Sequence, residues 1–494
     1  MRHVCIIGGG ISGLAAAYYL SRRGCRCTLI EREARLGGVI RTEHIEGCVV
    51  EGGPDSFLSQ KPWALALIRE LGIERDVIGS NDHLRQTYIL RRGRLIPMPE
   101  GLYLMIPTAM RPILTTRLLG WRTKLRMAAD MLRRPAAGRA EEPGPGEDAE
   151  SGAPFDSSTA DVSAASFLRA HYGDEAVDYL AEPLLAGIYG GDAADLSARS
   201  VLPRLVELER RYGSLTRGAL ASRAQAAGSG SEPQAIFLSL RGGMQQLVDA
   251  LARAIAGRVA VLRGEAERIE ETGEGCRIFF GGQWIEASDV IVAAPAYIAG
   301  RLLQAVEGCA AELLSGVRYH SSLTVSLGYN RAHFSHPLNG FGFLTPKVER
   351  RRLTACTWVG TKFPNRVTGR RVLLRGFIGA GNEGDLLQCN DEELVEGVRE
   401  ELAQYMGVAA APEFFKVYRW PRAMAQYNVG HERRIAEIQR RLAPFRWLHL
   451  AGNAYSGIGI PDCIRTAKSA ADRVLAAPAE AAPLAHTNIK SGQG

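Results

Sequence analysis

The chain lacks a metal or disulfide framework. Its nine cysteines, at positions 5, 25, 27, 48, 276, 309, 356, 389 and 463, form no C-x-x-C pair and no zinc-type spacing. Several lie in apolar strand contexts, Cys5 among them, and read as buried thiols of a reducing compartment. No apolar run is long enough to span a bilayer. The amino terminus enters a strand directly, without an apolar stretch or cleavage site, so no secretory signal is expected. These absences predict a cytoplasmic protein, with a peripheral membrane contact left open. The formal charge of +7 comes mostly from scattered arginines, without interleaved aromatics or a basic tail, which argues against nucleic acid as a partner. An acidic substrate, an anionic surface and a plain solvated exterior all suit that balance.

An acid–base dyad is also missing. His171, His320, His333, His336, His431 and His449 have no carboxylate or cysteine at a telling spacing. They are read as structural, and no catalytic residue or metal ligand is predicted. At 494 residues the chain exceeds one hydrophobic core and implies about two or three domains.

What is present begins at the first residues. Residues 3–7 read as a strand, followed by Gly8, Gly10 and Gly13 in G-x-G-x-x-G spacing, a helix to about Arg23, and Gly24 at its end. Residues 27–30 make a second strand ending at Glu31. Gly8 permits the tight turn, Gly10 lets a pyrophosphate approach, and Gly13 lets helix and sheet pack closely. The helix N-terminus offers unpaired N–H groups to phosphate, and Glu31 can accept from a ribose hydroxyl. Strand, glycines, helix, strand and acid fall in the order a dinucleotide site requires.

Further along, residues 61–71 suit a helix with Pro62 in its first turn. A strand near 86–90 turns through Arg91-Arg92-Gly93-Arg94 into a hairpin. The apolar residues 101–108 fit a cavity wall, a lipid contact or ordinary core packing. A basic helical run at 117–134 precedes an acidic, Ala/Gly/Pro-rich insertion at 135–161, expected to be disordered. Helix resumes at 162–171, is interrupted at 182–192, and continues from 198, with a second flexible patch at 224–232. Residues 239–244 turn into a helix at 246–255, a strand at 259–262 and the step Gly264-Glu265-Ala266-Glu267. Residues 288–295 read as a buried parallel strand. Strands are expected at 323–328, 353–359, 372–378 and 416–420, with a helix at 391–406 among them. A last strand at 447–450 leads through residues 451–463 into a helix from about 464 to 475.

Leu36-Gly37-Gly38-Val39-Ile40-Arg41-Thr42 and Glu51-Gly52-Gly53-Pro54-Asp55-Ser56 resemble the second and third cofactor stretches of the flavin-dependent amine oxidase and protoporphyrinogen oxidase superfamily. With residues 182–192, 240–244, 288–295 and 451–463, the chain resembles the protoporphyrinogen/coproporphyrinogen oxidase family from residue 2 to about 475, excluding the insertion. Residues 94–101 and 106–108 look most like the Gram-positive-type coproporphyrinogen III oxidases. Thr87 stands where the mitochondrial protoporphyrinogen enzymes carry an arginine, which favours the coproporphyrinogen branch.

The resemblance implies an α/β fold: a Rossmann-like FAD-binding domain of the amine-oxidase type, a mixed-sheet substrate domain and an inserted helical domain. The expected parts are 1–84, 235–300 and 441–476 for FAD, 85–234 helical, 301–440 mixed-sheet, and 477–494 a disordered tail. It also implies an extended FAD held by Gly8, Gly9, Gly10, Ile11, Ser12, Gly13, Glu31 and Arg32 in the first stretch. Gly38, Val39, Arg41, Gly53, Pro54, Asp55 and Ser56 follow from the next two. Glu267 reaches the adenine through its backbone, and Trp420, Asn453, Ile458, Gly459 and Ile460 complete the contact set. Trp420 reads equally as the end of a strand. Lys61 is the candidate for a substrate carboxylate, beside the plainer reading of a surface lysine at a helix start. The implied reaction takes coproporphyrinogen III to coproporphyrin III with FAD and dioxygen, six electrons in three steps, releasing hydrogen peroxide. Protoporphyrinogen IX oxidation, a flavin amine oxidase or carotenoid desaturase, and a non-catalytic flavin protein are the alternatives.

Overall fold

The computed structural model describes residues 2–103, 105–133, 160–227, 235–379 and 383–476; the acidic insertion up to residue 159, residues 228–232 of the second flexible patch and the tail from 477 lie outside them. Strand β1 (His3–Ile7) is buried at four of its five positions, as an apolar run covered on both faces should be. It pairs in parallel with β2 (Arg26–Glu31) on one side and with Asp289–Val292 on the other. Val259–Arg263 extends the sheet beyond β2, and Leu448–Leu450 extends it beyond Asp289–Val292. The result is a five-stranded parallel sheet assembled from three remote parts of the chain.

Helix α1 (Ile11–Arg22) packs against the closing helix Ile460–Ala476 and against Gln245–Ile255. Ala15, Ala16 and Ala17 on α1 and Ala467, Ala470 and Ala471 on the closing helix are all fully buried. Small side chains on both faces let the two helices approach closely. The closing helix starts at Ile460, four residues before the expected position, because Pro461 is tolerated in a first turn where no N–H is needed.

A second, seven-stranded sheet runs in the order Phe414–Ala425, Tyr319–Asn330, Arg371–Ile378, Ala355–Trp358, Gly342–Leu344, Thr87–Arg91, Arg94–Pro97. All neighbours are antiparallel except Gly342–Leu344 with Thr87–Arg91, so the sheet is mixed. The expected hairpin at 91–94 therefore adds its strands to this sheet. Helix Asp391–Met406, opened by a capping box between Asn390 and Glu393, buries Leu394, Val398 and Leu402 against it.

The helical part departs from expectation in four places. Within 117–133 the α-helix spans Trp121–Asp130, since Glu175 accepts from Gly120 N at 2.8 Å and from Thr123 Oγ1 at 2.6 Å and so fixes the start. Residues 182–192 do not interrupt the helix: Glu182–Tyr189 is α-helical and follows a π-helical turn at Val177–Ala181. The wider turn spares the carbonyl that the ring of Pro183 would otherwise strike. Beyond it, Pro203 splits the next helix into Ala198–Val201 and Pro203–Tyr212 by forcing Leu202 out of helical geometry. Residues 224–227 of the expected flexible patch end helix Leu215–Ala227.

His171 is structural but has partners that sequence spacing does not show. Its Nδ1 lies 2.6 Å from Asp130 Oδ1 and its Nε2 3.2 Å from Glu209 Oε1. Asp130 Oδ2 also accepts from Ser214 Oγ and Thr216 N, so the buried carboxylate ties three helical segments together. Burial alone would lower the imidazole pKa, but the hydrogen bonds to Asp130 and Glu209 outweigh it and hold the value above 6.5. A raised value means that this contribution is complete below pH 6.5 and is lost as pH rises through the folded-state value. Thermal midpoints measured against pH should fall on the alkaline side in the parent, and His171→Gln should flatten that fall. At pH 6 the substitution should cost about 3–5 kcal/mol, the scale for breaking a buried charge pair.

Candidate functional site

At the carboxyl end of β1 the chain turns through Gly8, whose φ of +105° suits glycine alone. A Cβ on Gly13 would lie 1.8 Å from Gly8 O, so the helix can sit on the turn only with glycine there. Gly10 is different. Its backbone is extended, and a Cβ on it would meet no protein atom within 4 Å. Neither strain nor protein packing calls for glycine there, and the face is open to a ligand at the N-terminus of α1.

The second stretch docks onto this turn through Gly37 N to Gly9 O at 2.8 Å. Arg35 braces it from behind, donating to the carbonyls of Leu36, Gly38 and Ile40. Glu31, at the end of β2, accepts from Gly9 N at 2.5 Å and from Glu33 N at 2.7 Å, which holds its carboxylate beside the glycines. The third stretch follows: a Cβ on Gly53 would lie 1.8 Å from Val39 O, while Val39 keeps its own side chain 40 % exposed. Arg41 pairs with Glu43 at 2.8 Å and lies over the ring of Tyr418. Gly264 N donates to Glu31 O at 2.9 Å, and Glu267 is the extra residue of a bulge between Ala266 and Arg268. That frees its backbone groups from the strand ladder while its side chain faces solvent.

The closing stretch meets the opening one directly, since α1 packs along the closing helix Ile460–Ala476. Trp420 Nε1 donates to Gly52 O at 2.7 Å. Asn453 Nδ2 donates to Ala423 O at 3.1 Å, and Tyr427 straps the loop by donating to Asn453 O at 2.7 Å and accepting from Gly457 N at 2.9 Å. Ile458 and Gly459, both partly exposed, lead into Ile460, the first residue of that helix.

The chain belongs to the flavin containing amine oxidoreductase family. The family model matches residues 11–475. The chain is 32% identical to the coproporphyrinogen III oxidase of Bacillus subtilis over 96% of its own length and 98% of that protein. It is 29% identical to the human protoporphyrinogen oxidase over 96% and 98% of the two chains. A crystal structure from Exiguobacterium sp. 255-15 superposes with a TM-score of 0.82 at 29% identity, covering 96% of this chain and 98% of the other.

FAD is the cofactor, and the open face at Gly10, the two helix N-termini and the carboxylate of Glu31 fit a dinucleotide. Arg32 pairs with Glu33 at the surface. Asp55 points into the interior, where Lys362 binds it at 2.9 Å; burial would raise its pKa, but Lys362 and Arg375 hold it far below the usual carboxylate range. Lys61, expected to meet a substrate carboxylate, meets one of the chain's own: both oxygens of Asp462 lie 2.6–2.8 Å from Nζ. Asp462 also accepts from Gly459 N at 3.3 Å and so joins Lys61 to the closing loop. Arg35, Tyr427 and Asp462 were not anticipated, because a single bracing side chain leaves no periodic or spacing signal.

Gly10→Val should leave the far-ultraviolet circular dichroism unchanged, since no strain or clash results, yet yield protein lacking the 450 nm flavin band. Asp462→Asn should weaken retained FAD about tenfold, the scale of one lost charge-assisted contact, as read by flavin fluorescence release on dilution.

Proposed function

We propose that the protein oxidises a porphyrinogen, coproporphyrinogen III before protoporphyrinogen IX, to the corresponding porphyrin with dioxygen in haem biosynthesis. Similarity to coproporphyrinogen III oxidases over nearly the full length of both chains carries this reading. Thr87, set in the second sheet, supports the coproporphyrinogen branch. When bound, FAD would accept the hydride lost in each of three steps, the accompanying proton would leave to solvent, and dioxygen would serve as the terminal oxidant with one hydrogen peroxide per step.

The residues of the chain have a correspondingly limited task. Removing hydrogen from a reduced macrocycle leads toward an aromatic product, so the protein has to position the ring and exclude competing reactions. The carboxylates around the cofactor stretches fit that division of labour. Glu31 is held by backbone N–H groups, and Asp462 by Lys61 and Gly459 N. Helix Glu182–Tyr189 meets the strand that straps the closing loop, through Gln426 Nε2 to Tyr189 O at 2.8 Å and Gly190 against Met424. Ile188, 53 % exposed on that helix, and Val39 on the second stretch offer apolar surface to a tetrapyrrole.

Aerobic incubation with each porphyrinogen, followed by porphyrin fluorescence and peroxide, tests the reading. Coproporphyrinogen III should give fluorescence with about three peroxides per porphyrin, and protoporphyrinogen IX a slower signal. A yellow protein inert toward both would overturn it in favour of an amine oxidase or desaturase.

A further inference from the structure

Beneath Gly52–Gly53 lies a charged interior cluster that the oxidation does not use. Arg366 Nη1 is 3.3 Å from Glu51 Oε1, and Arg366 Nη2 donates to Ser239 Oγ at 2.5 Å. Arg375 donates to Gly53 O and lies 4.0 Å from Asp55, whose main partner is Lys362. The side chains of Glu51, Arg366 and Arg375 are 4 %, 1 % and 4 % exposed. Three cations face two carboxylates, which leaves one surplus positive charge in the interior, a costly arrangement without a counter-ion.

Three donors stay unsatisfied here. Ser326 Oγ, Arg375 Nε and, beyond its ion pair, Arg366 Nη1 have no hydrogen-bond partner among the described residues. All three residues line one small cavity of about 10 Å3, together with Glu51, Asp55 and Lys362. That is the room a single water needs; a chloride has about twice that volume, so its entry requires the side chains of Ser326, Arg366 and Arg375 to draw back by a few tenths of an ångström. Guanidinium groups can only donate, and both carboxylates already accept from other groups: Glu51 from Thr42 and Met244, Asp55 from Lys362 and Ser56. A water would satisfy some of the donors but leave the surplus charge.

We propose that this cavity binds one small monovalent anion, chloride in ordinary salt, between Ser326, Arg366 and Arg375. The ion neutralises the cluster and ties strands Tyr319–Asn330 and Arg371–Ile378 to the backbone of Gly53. Thermal midpoints of the FAD-loaded protein in sodium chloride, balanced to constant ionic strength with sodium gluconate, read the binding, because gluconate is too bulky to enter. The midpoint should rise about 2 °C per tenfold increase in chloride above its dissociation constant. Crystals grown in bromide should show one anomalous peak at the cavity. Ser326→Val, which fills the space with a methyl group, should abolish the chloride dependence and the peak while the protein stays yellow. Equal midpoints in chloride and gluconate, a cavity density without bromide signal, or a chloride dependence surviving in Ser326→Val would each overturn the assignment.

Discussion

The pairing of Val4–Ile7 with Asp289–Val292 joins segments about 285 residues apart, and the cofactor site exists only where it holds. It places Ala293 against Gly8, so the glycine turn is bounded by a strand from the far half of the chain. At the opposite end of the sheet, Asp289 receives Arg2 at 2.9 Å and lies 3.6 Å from His449. One carboxylate thus links three neighbouring strands or their flanks and opposes a slip in register. A one-residue slip would turn every buried side chain of β1 to the other face. Parallel strands need long crossovers, which explains why the intervening chain can hold a second sheet and a helical part.

Around the cofactor, charge is used mainly to hold loops. Glu31 is fixed by the N–H groups of Gly9 and Glu33, Glu51 by Met244 N and Thr42, and Asp462 by Gly459 N and Lys61. Each carboxylate restrains a stretch that is otherwise rich in glycine and therefore conformationally loose. Glu51 shows the tension in this arrangement: burial raises its pKa, and Arg366, Thr42 and Met244 only partly offset that. Loops held in this way keep their backbone groups in fixed positions before a ligand arrives.

The opening β1–α1–β2 unit, the helix at 391–406 and the main strands were legible because each rests on local periodicity or on a glycine at a fixed offset. The same holds for the glycine turns at 37–38 and 52–53, which rest on backbone requirements stated within a few residues. What was not legible depends on partners distant in sequence. The start of Trp121–Asp130 is set by Glu175, and the environment of His171 by Asp130 and Glu209. The π-helical turn before Pro183 shows the same limit, since the proline read as a break while the turn before it absorbs the conflict. Lys61 was visible as a cation near the flavin loop, but its engagement by Asp462 could be found only in three dimensions.

The strand Phe414–Ala425 and the residues just after it join two of the cofactor stretches. Trp420 fixes Gly52 in the third stretch, while Ala423 and Tyr427 fix Asn453 in the closing loop. The spacing between these two cofactor segments is therefore set by one continuous piece of the second sheet. Gln426, between the two straps, receives the helical part through Tyr189. Helix Glu182–Tyr189 is thereby tied to the same piece of chain that holds both cofactor stretches, so these contacts are coupled through hydrogen bonds.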